Sequence, residues 1–324
     1  MKAAVYTRYG APDVVTIRDV AKPMPKADEV LIRIRATTVS SGDWRMRSLE
    51  MPRGFALLAR PAIGLFGPRK TVLGAELAGD VEAVGANVRT YKPGDAVVAF
   101  PGIGLGCHAE YRTIRETGAI AHKPANLSYE EAAALSFGGS TALDYLTTKG
   151  NIRRGDTVLI VGASGAVGSA AVQIAKHYGA DVTGICSAAN RALVLSLGAR
   201  RTIDYAEEDF TRNGETYDII LDAAGTTRFA RCQGSLKDKG RLLLVLSGLP
   251  ALLQIPWIAM TSDKRVVAGP AAENPADLAT LCALAREGAY RPVIDRSYPL
   301  ERIVEAHRYV DTGRKKGSVV ITLA

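Results

Sequence analysis

The chain has 324 residues, 47% of them hydrophobic, and a formal charge of +8. That length suggests two domains with ample apolar content for real cores. The charge is spread along the sequence, and its densest runs, Arg45–Lys70 and Arg314-Lys315-Lys316, lack the interleaved aromatics of a nucleic-acid groove. Cys107, Cys186, Cys232 and Cys282 are scattered without CxxC spacing, which speaks against a disulfide framework or a structural zinc cluster.

In chain order, the opening MKAAVYTRYG lacks an apolar signal region, so a cytoplasmic location is expected. The first ~120 residues read as β-rich, with short apolar runs at Ala3–Tyr6, Val30–Ala36, Gly79–Val84 and Ala96–Phe100. Pro93-Gly94-Asp95 marks a turn before the last of these. Phe55–Phe66 is interrupted by Arg60 and Pro61, and reads as a loop or lid over a pocket. From Ser128 the texture changes: Ser128-Tyr129-Glu130-Glu131 is a helix start, with Ser at the cap and acids in the first turn.

Strands and helices then alternate. Val158–Val161, a helix to Tyr178, Val182–Cys186, a helix to Leu197, Asp218–Leu221, a helix near Arg228–Ser235 and Leu242–Leu246 follow in turn. That is the order of a doubly wound parallel sheet. Leu242–Ser262 carries no charge and is long enough to span a bilayer, but Gly248, Pro250, Gln254 and Pro256 would break a lone membrane helix. A buried strand followed by a loop and a partner-facing surface fits better, and no membrane span is expected. From Arg291 to Ala324 the chain returns to strand-like character, closing with Ser318–Leu323.

One segment carries chemistry. The buried strand Thr157–Val161 runs into GASGAVG (Gly162 to Gly168), and apolar residues then recur at helical spacing through Tyr178. A strand, a glycine-rich turn and a helix, in that order, make a dinucleotide fingerprint credible. Counted from its last glycine the turn reads Ala163-x-Gly165-x-x-Gly168, so alanine replaces the usual first glycine. Gly165 would admit a pyrophosphate, Gly168 would let the helix pack closely, and the helix N-terminus would face the phosphates. About 20 residues on, an NAD enzyme places an acid on the ribose 2′-hydroxyl. Here Cys186-Ser187-Ala188-Ala189-Asn190-Arg191 has no acid, whereas Ser187 and Arg191 suit a 2′-phosphate. NADPH is therefore expected. The alternative is NADH held without an acid, with Arg191 a solvated helix residue.

Over its whole length the sequence resembles the medium-chain dehydrogenase/reductases, through LGAELAGDVEAVG (Leu73–Gly85), YKPGDAVVAF (Tyr91–Phe100), the GASGAVG turn, LGARRTIDYAEEDF (Leu197–Phe210) and the ending GRKKGSVVITL. The resemblance implies an α/β fold: a GroES-like β-barrel domain, residues 1–125 and 291–324, around a Rossmann domain, 126–290, with catalysis in the cleft between them. It also implies a homodimer formed through the Rossmann domain, with which the uncharged Leu249–Met260 region is compatible. The zinc-dependent branch places Cys within the segment matching Val39–Asp43 and His within that matching Gly74–Glu76. Here these read VSSGD and GAE, so Ser41 or a neighbour and Ala75 stand where the ligands would be. Neither Ser nor Ala supplies a thiolate or imidazole, and no catalytic metal is expected. Cys107-His108 with Glu110 is a local cluster whose neighbouring ligands point different ways on a strand.

The sequence thus resembles the zinc-independent, quinone oxidoreductase-like (zeta-crystallin-like) branch. That implies NADPH-dependent hydride transfer to an electrophilic small molecule, a quinone or an α,β-unsaturated carbonyl, whose oxyanion needs only a hydrogen bond. Carried over residue by residue, the cofactor contacts are Thr141; Ser164, Gly165, Ala166 and Val167 of the turn; Ser187, Arg191 and Tyr205 around the 2′-phosphate; and Ala223, Ala224, Leu246 and Ser247 at strand ends. Ser40, Asp43, Trp44 and Arg45 match the catalytic, cleft-lining segment. Tyr145-x-x-x-Lys149 imitates the catalytic pair of short-chain dehydrogenases, but it lies upstream of the glycine turn, and helix packing explains Tyr145 better. Two other functions stay open: a zinc-free alcohol dehydrogenase or carbonyl reductase, and an NADPH-binding regulatory or structural protein.

Overall fold

The structure, a computed structural model, describes residues 1–55, 60–61, 63–272 and 274–324. Of the loop or lid expected at Phe55–Phe66, residues 56–59 and 62 lie outside the described residues. In chain order the strands are β1 (Lys2–Tyr6), β2 (Val15–Asp19), β3 (Glu29–Val39), β4 (Leu77–Val84), β5 (Ala96–Ala99), β6 (Tyr111–Arg115), β7 (Ile120–His122), β8 (Thr157–Val161), β9 (Asp181–Cys186), β10 (Arg201–Asp204), β11 (Tyr217–Asp222), β12 (Leu236–Leu244), β13 (Arg265–Ala268), β14 (Ile294–Pro299) and β15 (Ser318–Thr322). They belong to two compact units. One comprises Met1–Met51, Ala56–Phe137 and Glu273–Ala324; the other comprises Pro52–Phe55 and Gly138–Ala272.

The first unit is a GroES-like β domain. Its main sheet runs β14-β15-β3-β4-β5-β7, with β6 also paired to β3. β3 is long and buried over most of its length, and its register with β4 slips between Leu31 and Ile32 and again between Ile34 and Ala36. Such irregularities bend and twist a strand, which lets one sheet curl around its own core. Val30, Ile32, Ile34, Leu77, Val81 and Val97 fill one side of that core. Tyr6, Val39, Leu73, Ile303 and Val319 belong to a second cluster.

The second unit is a Rossmann fold. Six parallel strands stand in the order β10-β9-β8-β11-β12-β13. Chain order reverses between β8 and β11, and the crevice at their carboxyl ends is where such sheets bind ligands. Both central strands have apolar, buried middles, Val158–Val161 and Ile219–Leu221, because both faces are covered.

Two expectations fail. The segment after β12 is a helix, Leu249–Thr261, and not a loop. Pro250 lies in the first turn, where its missing N–H has no intrahelical partner to lose. Pro256 lies inside and removes one helical bond, yet Ile258 is buried and Ala251 and Ile255 pack against the sheet core. Tertiary burial outweighs the local break. The chain end, expected to be strand-like, contains the helix Ile303–Asp311, whose Ile303, Ala306, His307 and Val310 are buried at helical spacing. That period is short and hidden between two strands, β14 and β15. Among the described residues no helix is long and apolar enough to cross a membrane.

The β domain buries unusual polarity. Arg47 is fully buried and donates from Nη2 to both Asp311 carboxylate oxygens at 2.6 Å, and from Nη1 to the Gly10 carbonyl. His307 is also fully buried, with neither ring nitrogen hydrogen-bonded, and meets His108 edge to face at 5.7 Å. Burial, then the neighbouring His108 and Arg47, push its basicity well below the ordinary histidine range. A histidine that stays neutral when folded but takes a proton when unfolded destabilises the fold as pH falls. The stability of the protein should therefore decline below about pH 6.5, with this one group contributing up to ~1.4 kcal/mol per pH unit. Urea unfolding of His307→Leu between pH 5 and 7.5 should show a shallower acid-side slope than wild type; equal slopes would refute this assignment.

Candidate active site

The glycine turn lies at the point where sheet order reverses. β8 ends at Val161, and the next helix runs Ala166–His177 with Gly165 at its N-cap. Gly162 has φ +79°, and a Cβ there would stand 3.1 Å from the Ala224 Cβ. It supplies the left-handed residue of the turn, so alanine at 163 demands nothing of the backbone. A Cβ on Gly168 would sit 2.1 Å from the Gly162 carbonyl oxygen, an impossible contact. Gly165 differs: a Cβ there would meet only the Gly162 oxygen, at 3.5 Å, and would otherwise point into open space. No side chain caps this helix. The first-turn N–H groups, including those of Ala166 and Val167, are thus available to an anion. These residues fit a dinucleotide pyrophosphate.

The neighbouring strand ends complete the rim. Asp222, fully buried at the end of β11, accepts from the N–H groups of Ala224 (2.9 Å), Gly225 (2.8 Å) and Thr227 (2.6 Å), and so shapes the turn that carries Ala223 and Ala224. A Cβ on Gly225 would lie 3.1 Å from that of Leu246, which places Leu246 and Ser247 beside this turn. Sequence reasoning missed Asp222; an acid closing a buried strand before Ala-Ala-Gly was the available signal. Ser187 follows β9, and Asn190 donates to the Ser164 hydroxyl at 3.0 Å, linking that segment to the glycine turn. A cavity of about 190 Å³ is lined by Val161, Ile185, Tyr205, Thr226, Thr227 and Arg231, among others. Of the sequence-predicted residues only Tyr205 lines it, and Thr226, Thr227 and Arg231 were not foreseen.

Arg191 opens the helix Arg191–Ser196, and its guanidinium contacts Glu207 at 2.6 Å and Asp204 at 3.7 Å. Its Nε is buried without a partner. Thr141 is half-buried in the helix Ser136–Leu143. Tyr145 is fully buried and donates to the carbonyls of Leu244 (3.0 Å) and Gly269, which is a packing role.

The β domain holds the other predicted residues. Ser40 caps the helix Ser41–Ser48 in a reciprocal box with Asp43. Asp43 is nearly fully buried; Oδ2 accepts from the Ser40 N–H and hydroxyl at 2.8 and 2.7 Å, and Oδ1 from the Gly74 N–H at 2.8 Å. Every contact is acceptance, which suits an orienting carboxylate. Arg45 lies over the Trp44 ring at 5.0 Å, donates to the Glu50 carbonyl, and keeps a buried Nε without a partner. Burial lowers its basicity, opposed by Glu50.

Glu76, also missed, is nearly fully buried beside Ala75. It accepts from the Thr38 hydroxyl at 2.6 Å and from the N–H groups of Ser136 and Phe137 at 3.0 and 2.6 Å. Burial nonetheless pushes its carboxyl up to about 7. Cys107, His108 and Glu110 diverge: the His108 Nε2 meets the Thr38 carbonyl at 2.8 Å, while Glu110 accepts from the Lys2 N–H. Among the described residues no three His, Cys, Asp or Glu side chains are grouped to hold a metal ion.

Comparison with known proteins agrees with this architecture. The chain matches the alcohol dehydrogenase GroES-like domain over residues 26–125 and the zinc-binding dehydrogenase family over 197–321. It is 31% identical to a chloroplastic quinone-oxidoreductase homolog of Spinacia oleracea, across 99% of this chain and 98% of that one. The chain belongs to the quinone oxidoreductase-like medium-chain dehydrogenase/reductases. Within this family it is also 30% identical to a chloroplastic NADPH-dependent alkenal/one oxidoreductase of Arabidopsis thaliana, across 99% of this chain and 79% of the relative. The solved quinone oxidoreductase of Coxiella burnetii superposes with a TM-score of 0.87 at 28% identity, covering 100% of this chain and 99% of that one.

The two glycines of the turn predict opposite outcomes in this reductase. Gly168→Ala should destabilise by about 1–3 kcal/mol through overpacking. Gly165→Ala should cost under about 1 kcal/mol as an N-cap change, yet weaken dinucleotide binding at least tenfold. Thermal melts and titrations of intrinsic fluorescence with NADPH distinguish the two. A Gly165→Ala protein that binds normally would remove the pyrophosphate from this turn.

Proposed function

We propose that the protein is an NADPH-dependent, metal-free oxidoreductase that reduces a quinone or an α,β-unsaturated carbonyl. The observation that carries this reading is the uncapped helix start at Gly165, set at the sheet reversal with Arg191 beside β10. When bound, the nicotinamide supplies the hydride. The chain's own residues bind, orient and polarise. Ala166 and Val167 offer N–H groups to the pyrophosphate, and Arg191 with Ser187 and Tyr205 offers a cation and hydroxyls to a 2′-phosphate.

On the β domain, Asp43 locks Ser40 and the Gly74 turn in place. Arg45 supplies the cation for a developing oxyanion. An acceptor already conjugated to a carbonyl takes hydride at carbon, so this modest polarisation suffices and no Lewis acid is required. That matches the segments VSSGD and GAE, where Ser41 or a neighbour and Ala75 offer neither thiolate nor imidazole at the positions that the family resemblance implies for zinc ligands. The names of the relatives, a quinone-oxidoreductase homolog and an NADPH-dependent alkenal/one oxidoreductase, support the same acceptor class and the same nucleotide.

The test is oxidation of NADPH at 340 nm by EDTA-treated protein against quinones, enones, aldehydes and alcohols, with NADH in parallel. Turnover of quinones or enones, unchanged by EDTA and at least tenfold better with NADPH, is expected. Activity restricted to aldehydes, or lost with EDTA, would overturn the proposal.

We propose further that the protein is a homodimer. The helix Leu249–Thr261 leaves Leu253, Trp257 and Met260 mostly exposed on the nucleotide-binding unit, and a patch of this kind suits a second copy. Light scattering should give twice the 34.4 kDa chain mass, and Trp257→Asp should return the monomer. A wild-type monomer at micromolar concentration would refute this.

A further inference from the structure

The Arg191 guanidinium is already occupied. Its Nη2 lies 2.6 Å from Glu207 Oε2 and 3.7 Å from Asp204 Oδ2. The two acids are held very differently. Asp204 is buried at the end of β10; its Oδ1 accepts the Ala206 N–H at 3.0 Å, and its carbonyl accepts the N–H groups of Glu207 and Glu208. It therefore belongs to the framework of the loop that presents Tyr205 and Glu207. The Glu207 side chain is 69% exposed, and Arg191 is its sole side-chain partner among the described residues. An exposed pair of this kind is weak and is readily exchanged for a stronger anion.

We infer that Glu207 is an exchangeable counter-ion of Arg191 that competes with the 2′-phosphate and sets how strongly the protein prefers NADPH over NADH. The inference rests on the NADPH reading above. A phosphate carries more charge than a carboxylate and matches the guanidinium fork with two parallel hydrogen bonds, so it displaces Glu207. Asp204 is anchored to main-chain N–H groups and stays behind the guanidinium, keeping it aimed. The released Glu207 then stands near the phosphate as a like charge, which limits affinity. Without a 2′-phosphate nothing competes, and the Glu207–Arg191 pair remains closed. A single exposed carboxylate thus tunes cofactor choice without touching the reacting atoms.

The test uses calorimetric titration of the whole protein with 2′,5′-ADP and 5′-AMP, which lack the nicotinamide, alongside NADPH and NADH. Wild type, Glu207→Gln and Arg191→Gln are compared, with thermal melts to show that each is folded. Glu207→Gln should bind 2′,5′-ADP and NADPH about fivefold more tightly, with 5′-AMP and NADH unchanged or weaker. Arg191→Gln should lose at least tenfold for 2′,5′-ADP alone. If Arg191→Gln loses affinity but Glu207→Gln does not gain it, the counter-ion inference fails and the NADPH reading stands. If neither variant alters the preference for 2′,5′-ADP over 5′-AMP, both fail.

Discussion

The nucleotide-binding unit depends on one close approach, that of Gly168 to the carbonyl of Gly162. With a Cβ at 168 the gap would be 2.1 Å, so only glycine lets the helix Ala166–His177 begin against the end of β8. Ala163 is buried in this turn with no exposure, and Gly184 of β9 has its own steric constraint: a Cβ there would meet Ala163 at 3.0 Å. Helix and sheet are thereby fixed at a distance that leaves the helix N-terminus open, with the Ala224 turn and Leu246 gathered around it. An anion site results because packing, not a dedicated side chain, leaves main-chain donors uncovered.

The β domain solves a different problem. The segments Val39–Asp43 and Gly74–Glu76 carry two buried carboxylates, Asp43 and Glu76, whose oxygens accept hydrogen bonds. Asp43 and Glu76 each take three donors, most of them main-chain N–H groups. Buried carboxylates are tolerable only when fully supplied in this way. The hydrogen bonds connect the Ser40 cap, the Gly74 turn and the start of the helix Ser136–Leu143. Arg47 and Asp311 do similar work between two helices far apart in sequence.

Much of the second unit was legible. β8, Thr157–Val161, is an apolar run of strand length after its first residue, and β9, Asp181–Cys186, carries Val182, Ile185 and Cys186 as its buried apolar positions. The Ser128 cap appears as read, with Glu131 completing the reciprocal box. Pattern was a poor guide where an element is apolar on every side or squeezed between strands. The helix Leu249–Thr261 contains two prolines and few buried side chains, so no local rule favours it. The helix Ile303–Asp311 has strong helical spacing, but over nine residues flanked by strands.

The sequence by itself determined the strand–turn–helix at Thr157–Tyr178, the absence of Cys and His from Val39–Asp43 and Gly74–Glu76, and the candidate cation Arg191. These are local facts, since spacing and residue chemistry lie within one stretch of chain. Only the tertiary structure decided that Gly162 makes the turn, that Asp222 shapes its neighbour, that Asp43 is saturated with donors, and that Glu207 already holds Arg191. Gly162 and Asp222 act within their own turns, whose exact geometry the fold fixes, whereas Asp43 meets Gly74 and Arg191 meets Glu207 from separate stretches of chain. A hydrogen bond or ion pair is set by distances of an ångström or less, and only the folded chain fixes those.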